Sequence, residues 1–226
     1  MINHDILRKK SIIELDVEVN LEKLLQEYNA IEKKYSLEYY KAKQWGVRKK
    51  YARSWSGICL ISTDGGLYTD LNGDGGTGDV AYDTELKDQC PYFYQLIQEL
   101  GGKNCHTRIM KLSPKESLVW HSHVQEFDQD ERRLTVQIPI ILPKHCEYCI
   151  VDKDEWKWYK RFYPRSWFKN IECKRLEAGK AYIFNTYHYH NVFNDSNEYR
   201  VTLMMYLDLR NPKFYNLVEK NLKGYE

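Results

Sequence analysis

The chain has 226 residues, of which 42 % are hydrophobic and 29 % charged, so it can bury a substantial core as one large domain or two small ones. Its net charge of +2 provides no strong electrostatic field for nucleic acid or for an anionic membrane surface. No apolar run approaches the ~18 residues that a membrane-spanning helix needs, which excludes that class of protein.

The N-terminal stretch MINHDILRKKSIIELD lacks the apolar segment and the small-residue cleavage site of a signal peptide. We therefore expect a cytoplasmic protein whose six cysteines are reduced thiols. These are Cys59, Cys90, Cys105, Cys146, Cys149 and Cys173. The pair Cys146 and Cys149 has the spacing of a zinc ribbon, but no second CxxC accompanies it, so we interpret both as ordinary strand or turn cysteines.

Residues 20–50 predict a helix. Apolar residues recur there at three- and four-residue spacing, and charged residues occupy the other face. The apolar positions are Leu21, Leu24, Leu25, Tyr28 and Ile31. We expect residues 1–50 to form a helical scaffold outside the main body.

A loop rich in glycine and aspartate follows the strand-like segment WSGICLIS and covers residues 64–83. Asp70, Asn72 and Asp74 copy the first ligands of a calcium-binding loop, but Ala81 stands where a bidentate glutamate is required. We interpret this stretch as a surface loop.

Strand signals dominate the rest of the chain after a short predicted helix, PYFYQLIQELGG. The strand segments are CHTRIMKLS, SLVWHSHV, RLTVQIPIIL, EYCIVD, KRLEAGKAYIFN, HYHNVFN and YRVTLMMYLDL. Turn residues separate them and no helices alternate with them, which is typical of a β-sandwich or barrel. We predict one mainly β domain over residues 1–226, with a barrel core over 51–209 and a C-terminal helix over 210–226.

Two histidine pairs stand on these predicted strands. His121 and His123 are two residues apart, as are His188 and His190, and residues two apart on a strand point to the same face. If both strands belong to one barrel, the imidazoles can converge on its interior. Imidazole is a good ligand for iron, zinc, copper and nickel, so this pattern indicates a metal site.

An arginine follows ten residues after His190, at the start of the apolar strand YRVTLMMYLDL. Inside a barrel, Arg200 would need a carboxylate partner, because its charge is costly to bury alone. Its planar guanidinium suits bidentate recognition of a carboxylate, and Thr202 on the same strand face can add a second contact. Metal histidines together with this arginine are what a site needs to hold an organic diacid.

These motifs resemble the aspartyl/asparaginyl β-hydroxylase family of Fe(II)- and 2-oxoglutarate-dependent dioxygenases. The matching segments are RIMKLSPKESLVWH, the strand RLTVQIPI with its IP turn, and GKAYIFNTYHYHNVFN followed by Arg200. The upstream WSGICLIS resembles the entry strand of the family. The resemblance runs from about residue 55 to residue 208, two-thirds of the chain.

The resemblance implies a double-stranded β-helix, a cupin-like jelly roll, with Fe(II), 2-oxoglutarate and dioxygen as reactants. It implies that His121 and His190 are metal ligands, that Arg200 pairs with the distal carboxylate of 2-oxoglutarate, and that Thr202 assists Arg200. The expected reaction is hydroxylation of an amino acid, a peptide side chain or a related small molecule.

The chain departs from the family pattern at several positions. His123 stands where many relatives have a carboxylate ligand, so it is a third metal ligand or lines the site, and Asp128 and Asp130 in the following loop are poorer candidates. Thr135 and Gln137 stand where relatives often hold the cosubstrate with charged residues, and both can hydrogen-bond a carboxylate. Three more residues are possible substrate or supporting contacts: His188, Trp120 and Arg108.

Two other readings compete with this one. A cupin-like metal enzyme or sensor without 2-oxoglutarate would use His121, His123, Glu126, His190 and Asn194, although the glutamate spacing is one residue short and the usual PxG is missing. Such a protein has no reason to bury Arg200. A non-catalytic barrel is the other reading: the aromatic and basic stretch WKWYKRFYPRSWFKN could bind nucleic acid or a peptide. We interpret that stretch as an amphipathic hairpin and expect no nucleic acid partner.

Overall fold

The computed structural model describes residues 2, 6–7, 10–35, 37–39, 55–69, 80–102, 106–122, 133–151, 164–186 and 188–225. The α-helices of this part are Leu21–Lys34 (α1), Pro91–Glu99 (α2) and Pro212–Leu222 (α3). The strands are Ile12–Leu15 (β1), Glu38–Tyr39 (β2), Trp55–Ser62 (β3), Tyr82–Asp83 (β4), Thr107–Leu112 (β5), Glu116–Ser117 (β6), Arg133–Ile141 (β7), Cys146–Val151 (β8), Ile171–Lys174 (β9), Ala181–Phe184 (β10), Tyr189–Asn194 (β11) and Arg200–Asp208 (β12). No helix in these ranges is long and apolar enough to cross a membrane.

The strands form two antiparallel sheets. The large sheet has the order β1-β10-β7-β12-β5-β3-β2, with β4 paired to β3, and the small sheet has the order β6-β11-β8-β9. From β5 onward the chain crosses repeatedly from one sheet to the other, so strands adjacent in a sheet are distant in sequence. This is the topology of a jelly roll, or double-stranded β-helix, and the predicted fold class is confirmed.

Each strand of the large sheet divides its side chains between two faces, because successive strand residues point in opposite directions. On β12, Val201, Leu203, Met205 and Leu207 belong to the core that the helices cover. The alternate residues of β12, beginning with Arg200, face the small sheet. The helices contribute a buried stripe each to the outer core: Leu24, Tyr28 and Ile31 from α1, Phe93, Leu96 and Ile97 from α2, and Phe214, Val218 and Leu222 from α3.

The N-terminal region differs from the prediction of a helix over residues 20–50. Helix α1 begins after Asn20, whose side chain accepts a hydrogen bond from the Lys23 amide at 3.0 Å, and it ends at Lys34. Glu38–Tyr39 then pairs with β3 as strand β2, so the prediction is wrong at these two residues. Residues 40–50 lie outside the described part of the chain.

Strand β1 is a second difference, because this region was predicted to be helical throughout. Residues Ile12–Leu15 pair with β10 and extend the large sheet. Ile13 and Leu15 join the outer core, whereas Ile12 joins the apolar cluster between the sheets. The run IIEL is too short to reveal its strand period, and its pairing partner lies far along the chain.

The cysteines correct a further expectation. Cys149 and Cys173 form a disulfide, with their Cα atoms 4.1 Å apart, because the antiparallel register of β8 and β9 places them directly opposite each other. Cys59, Cys90 and Cys146 are buried free thiols. Cys146 and Cys149 stand three residues apart on one strand and therefore point to opposite faces, so this pair does not form one site. The calcium-like residues of the glycine-rich loop, and Cys105, lie outside the described ranges.

Candidate functional site

His121 and His190 are directly opposite each other across an antiparallel bridge. The His121 amide donates to the His190 carbonyl at 3.1 Å, and the His190 amide donates to the His121 carbonyl at 2.9 Å. Directly opposed residues of an antiparallel pair point to the same face. Their ring centroids are 4.3 Å apart, so the structure brings together the two histidines that the sequence predicted as metal ligands.

The protonation of both rings is set by main-chain carbonyls. Nδ1 of His121 lies 2.8 Å from the Val119 carbonyl oxygen, and Nδ1 of His190 lies 2.9 Å from the His188 carbonyl oxygen. A carbonyl can only accept, so each Nδ1 must donate, and a neutral ring then carries its lone pair on Nε2. This is the arrangement that fixes a metal-binding histidine in one tautomer.

His188 thus contributes its main-chain carbonyl to the pair. Its predicted side-chain role, as a substrate or supporting contact, stays a prediction.

Trp120 lies on the other side of the small sheet from the two histidines. It is buried in a cluster with Cys149, Val151 and Phe168, and its ring centroid is 4.8 Å from that of Phe168. Of the two roles predicted for Trp120, substrate contact or support, this position fits support, because strand alternation directs its side chain away from the face of His121. It packs behind the histidine pair and supports it.

Tyr148 lines the face that His190 occupies and was not singled out from the sequence. Its ring stacks on His190 with centroids 5.7 Å apart and packs against Phe184 at 4.1 Å. Burial raises the pKa of Tyr148 well above its ordinary value, and the nearby charge of Arg200 partly offsets this. The buried Tyr148 hydroxyl has no hydrogen-bond partner within the described ranges, so it is a neutral donor available to a ligand.

Arg200 is buried between the two sheets. Its Nη2 donates to Oε1 of Gln137 at 2.9 Å, and no carboxylate of the described residues forms an ion pair with it. Burial lowers the pKa of Arg200, while Cys146 and Tyr148 across the barrel act in the opposite direction. An arginine nevertheless remains charged in proteins, because its ordinary pKa lies far above neutral pH. Within the described part of the chain, the hydrogen-bond partner of this buried cation is therefore a neutral amide and not a carboxylate.

Three residues that the sequence predicted to bind the cosubstrate together with Arg200 have different surroundings: Thr135, Gln137 and Thr202. Thr135 faces the same interior, and its buried hydroxyl has no hydrogen-bond partner among the residues described. Gln137 orients the arginine through the bond just given. The Thr202 hydroxyl donates to the main-chain carbonyl of Ile138 at 3.2 Å, beside the register shift between Val201 and Thr202. Its predicted contact with a cosubstrate stays a prediction.

Arg108 lies on the inner face of β5, two inner-face positions from the residue that pairs with Arg200. Its Nη2 donates to the Tyr206 hydroxyl at 2.8 Å, and its guanidinium carbon lies 5.4 Å from the centroid of that ring. An apolar cluster of Cys59, Met110 and Met204 lies on the same face. Arg108 is thus inside the barrel, where a substrate contact is possible, and that role stays a prediction.

The third metal ligand cannot be placed. His123 lies outside the described residues, together with Glu126, Asp128 and Asp130. The prediction that His123 points into the metal site stays open for that reason.

Asn194 fixes the turn between the strand of His190 and the strand of Arg200. Its buried Nδ2 donates to the carbonyl oxygens of Ser113 at 3.1 Å and Glu198 at 2.8 Å, and its Oδ1 accepts from the Ser196 hydroxyl at 2.6 Å. The sequence marked this residue only as the end of the segment GKAYIFNTYHYHNVFN and as part of the cupin-like pattern. In the structure it positions the start of β12, where Arg200 stands.

No protein-family model and no curated protein matches the chain. Solved structures share its fold at low sequence identity. An oxidoreductase of the 2OG-Fe(II) oxygenase family from Burkholderia pseudomallei is 10 % identical with a TM-score of 0.58, covering 91 % of this chain and 88 % of that one. A Pseudomonas putida prolyl-4-hydroxylase is 12 % identical with a TM-score of 0.51, covering 90 % and 96 %. HygX from Streptomyces hygroscopicus, with nickel and 2-oxoglutarate bound, is 10 % identical with a TM-score of 0.52, covering 91 % and 87 %.

Asn194→Ala tests the role assigned to this turn. The substitution leaves buried carbonyl groups without their donor, so we expect a loss of about 1–3 kcal/mol in the free energy of unfolding. Urea unfolding followed by circular dichroism measures this loss. Asn197→Ala, at a solvent-exposed position of the same turn, is the control and should leave the midpoint nearly unchanged. An equally small effect at Asn194 would contradict the account.

Proposed function

We propose that the protein is an Fe(II)- and 2-oxoglutarate-dependent oxygenase that hydroxylates an amino acid, a peptide side chain or a related small molecule. The proposal rests on two groups of residues that face the barrel interior. A pair of histidines with fixed tautomers lies on the small sheet, and a buried arginine without a described carboxylate partner lies on the large sheet facing it. The narrower resemblance to the aspartyl/asparaginyl β-hydroxylases rests on the sequence motifs and is part of the same proposal.

The histidine pair fits a divalent metal. His121 and His190 share one face, and each Nδ1 bond to a carbonyl leaves Nε2 as the ligand atom of a neutral ring. We propose His123 as a third ligand. When bound, iron and 2-oxoglutarate supply the chemistry: the keto acid loses carbon dioxide to give succinate, and one oxygen atom of dioxygen enters a C–H bond of the substrate.

The opposite wall fits the distal carboxylate of 2-oxoglutarate. The Arg200 guanidinium offers charged donors, and the hydroxyls of Tyr148 and Thr135 are buried donors without partners in the described part of the chain. Gln137 holds the guanidinium in place through its Oε1. A carboxylate there would supply a countercharge to Arg200 and accept hydrogen bonds from these groups, which would offset the cost of burying the guanidinium.

Tyr148 gives the two halves of the proposed site a common wall. It stacks on His190 and faces Arg200, so a diacid that reaches from the metal to the arginine would pass along its ring. The surrounding cluster, which includes Ile150, Val192 and Phe184, is apolar. Such walls exclude water and strengthen the pairing of charges inside the barrel.

A cupin-like metal enzyme or sensor without 2-oxoglutarate is the second candidate. The jelly roll and the histidine pair suit it equally well. Arg200 favours the oxygenase, since a cupin that binds no acid has no use for a buried guanidinium that lacks a described carboxylate partner. We propose no nucleic acid partner, and a cytoplasmic location stays a prediction.

Arg200→Lys tests the cosubstrate site. Lysine keeps the positive charge but loses the planar fork, so the affinity for 2-oxoglutarate should fall by about 1–3 kcal/mol. Calorimetric titration of 2-oxoglutarate into Ni(II)-loaded protein measures it. Arg108→Lys is the matched control, because it changes a second buried arginine outside the proposed carboxylate contact. Equal affinity in wild type and Arg200→Lys would favour the cupin-like candidate.

Tyr148→Phe isolates the contribution of one hydroxyl group. The ring still packs against His190 and Phe184, but the donor to the carboxylate is lost, and we expect 2-oxoglutarate to bind more weakly by about 1.5–3 kcal/mol. Ni(II) affinity should stay the same. Tyr206→Phe is the control, since that hydroxyl accepts from Arg108 instead. If the two variants bind 2-oxoglutarate alike, Tyr148 has no part in the carboxylate site.

A further inference from the structure

The disulfide lies on the outer face of the small sheet. It joins Cys149 of β8 to Cys173 of β9. The Cys149 side is fully buried, whereas Cys173 is exposed on a strand whose residues 172–174 are all exposed to solvent. The bridge therefore connects the inside of a packed cluster to a residue on the exposed edge strand of the small sheet.

The buried sulfur lies directly behind both metal histidines. Cys149 is the register partner of Asn191, the residue after His190. Cys149 also packs in one cluster with Trp120, the residue before His121. A change at this residue thus reaches both sides of the His121–His190 bridge, through the pairing of Cys149 with Asn191 and through its packing against Trp120.

We propose that the Cys149–Cys173 disulfide is a reducible brace that holds the two histidines in register, so that thiol reduction lowers the metal affinity of the site. The expected effect on metal affinity rests on the proposed function, whereas the expected effect on the stability of the His121–His190 bridge does not. The bridge closes a segment with a sequence separation of 24 residues and anchors β9 at the edge of the small sheet. Without it, β9 is held by its pairing with β8, by the packing of Ile171 against the Trp120 cluster and by the hydrogen bond from Ser11 to Glu172.

The reductant is a low-molecular-weight thiol. Its thiolate attacks Sγ of the exposed Cys173, the S–S bond breaks, and Cys149 leaves as a thiolate that takes up a proton. A second thiol then attacks the mixed disulfide, which releases the Cys173 thiol and the oxidised reagent. Two equivalents of thiol become one disulfide, and the protein gains two thiols.

Reduction also creates groups that could confuse a metal assay. The candidate ligand atoms of Glu147, Cys149 and Cys173 all lie within 4.8 Å of one another, so the reduced pair could itself bind a soft metal. Cys173→Ser avoids this difficulty, because it opens the bridge at the exposed end, keeps the side-chain size and leaves one thiol. Lys174→Ser, at the adjacent exposed position, is the matched control that keeps the bridge.

The first measurement uses metal-free protein. The redox state is set with oxidised or reduced dithiothreitol and verified by counting alkylated cysteines by mass spectrometry. Hydrogen exchange at the backbone amides of His121 and His190 is then followed by NMR, because these amides form the bridge. We expect exchange at least about tenfold faster when the disulfide is reduced, and Cys173→Ser should match reduced wild type under both conditions. Lys174→Ser should behave as wild type.

The second measurement is Ni(II) affinity in oxidised wild type and Cys173→Ser. We expect about tenfold weaker binding in the variant, the lower end of what loss of a supporting contact costs a metal site. Equal exchange rates in both redox states would overturn the proposal that the disulfide stabilises the His121–His190 bridge. Faster exchange in Cys173→Ser with unchanged Ni(II) affinity would overturn the proposal that this stabilisation raises the metal affinity. If Ni(II) binds neither protein, the proposed function fails, while the exchange rates still show whether the disulfide stabilises the His121–His190 bridge.

Discussion

A positive charge buried without a described countercharge is the constraint on which the proposed function depends. Removing a guanidinium from water is costly, and a neutral amide such as that of Gln137 compensates only part of the loss. The buried charge is that of Arg200, the first residue of β12, which lies in the barrel interior. An anion that binds beside Arg200 during the catalytic cycle would offset this cost.

Each of the two sheets contributes a different part of the proposed site. The small sheet carries the histidine pair, whose register and tautomers are set by main-chain groups, and the large sheet carries the arginine. Because both sheets turn one face to the same interior, a ligand with two polar ends joined by a short body could contact both. Tyr148, which touches the histidine wall and faces the arginine, makes the barrel one site and not two.

Strand alternation made much of this predictable from the sequence. Alternation predicted that His121 shares a face with His123 and that His188 shares a face with His190. That inference is local, since it needs only the period of a strand. The many short strands without intervening helices predicted a sandwich or barrel. The family resemblance narrowed this to a jelly roll and selected His121, His190, Arg200, Thr135 and Gln137 as site residues.

Features that depend on long-range register were not accessible in the same way. Tyr148 is one of 19 tyrosines, and only the pairing of β8 with β11 shows that it stacks on His190. The disulfide likewise depends on which residues of β8 and β9 stand opposite each other. For Trp120 the sequence left open a substrate contact or a supporting role, and its packing with Cys149 and Phe168 is what places it behind the histidine pair.

Anaerobic titration with Fe(II), with and without 2-oxoglutarate, tests the central claim most directly. A keto acid chelated to ferrous iron gives a visible charge-transfer band, so we expect the band only when both reactants are present. It should be absent from His190→Ala, which removes one proposed ligand. Iron binding to the wild type without any such band on addition of 2-oxoglutarate would contradict the account.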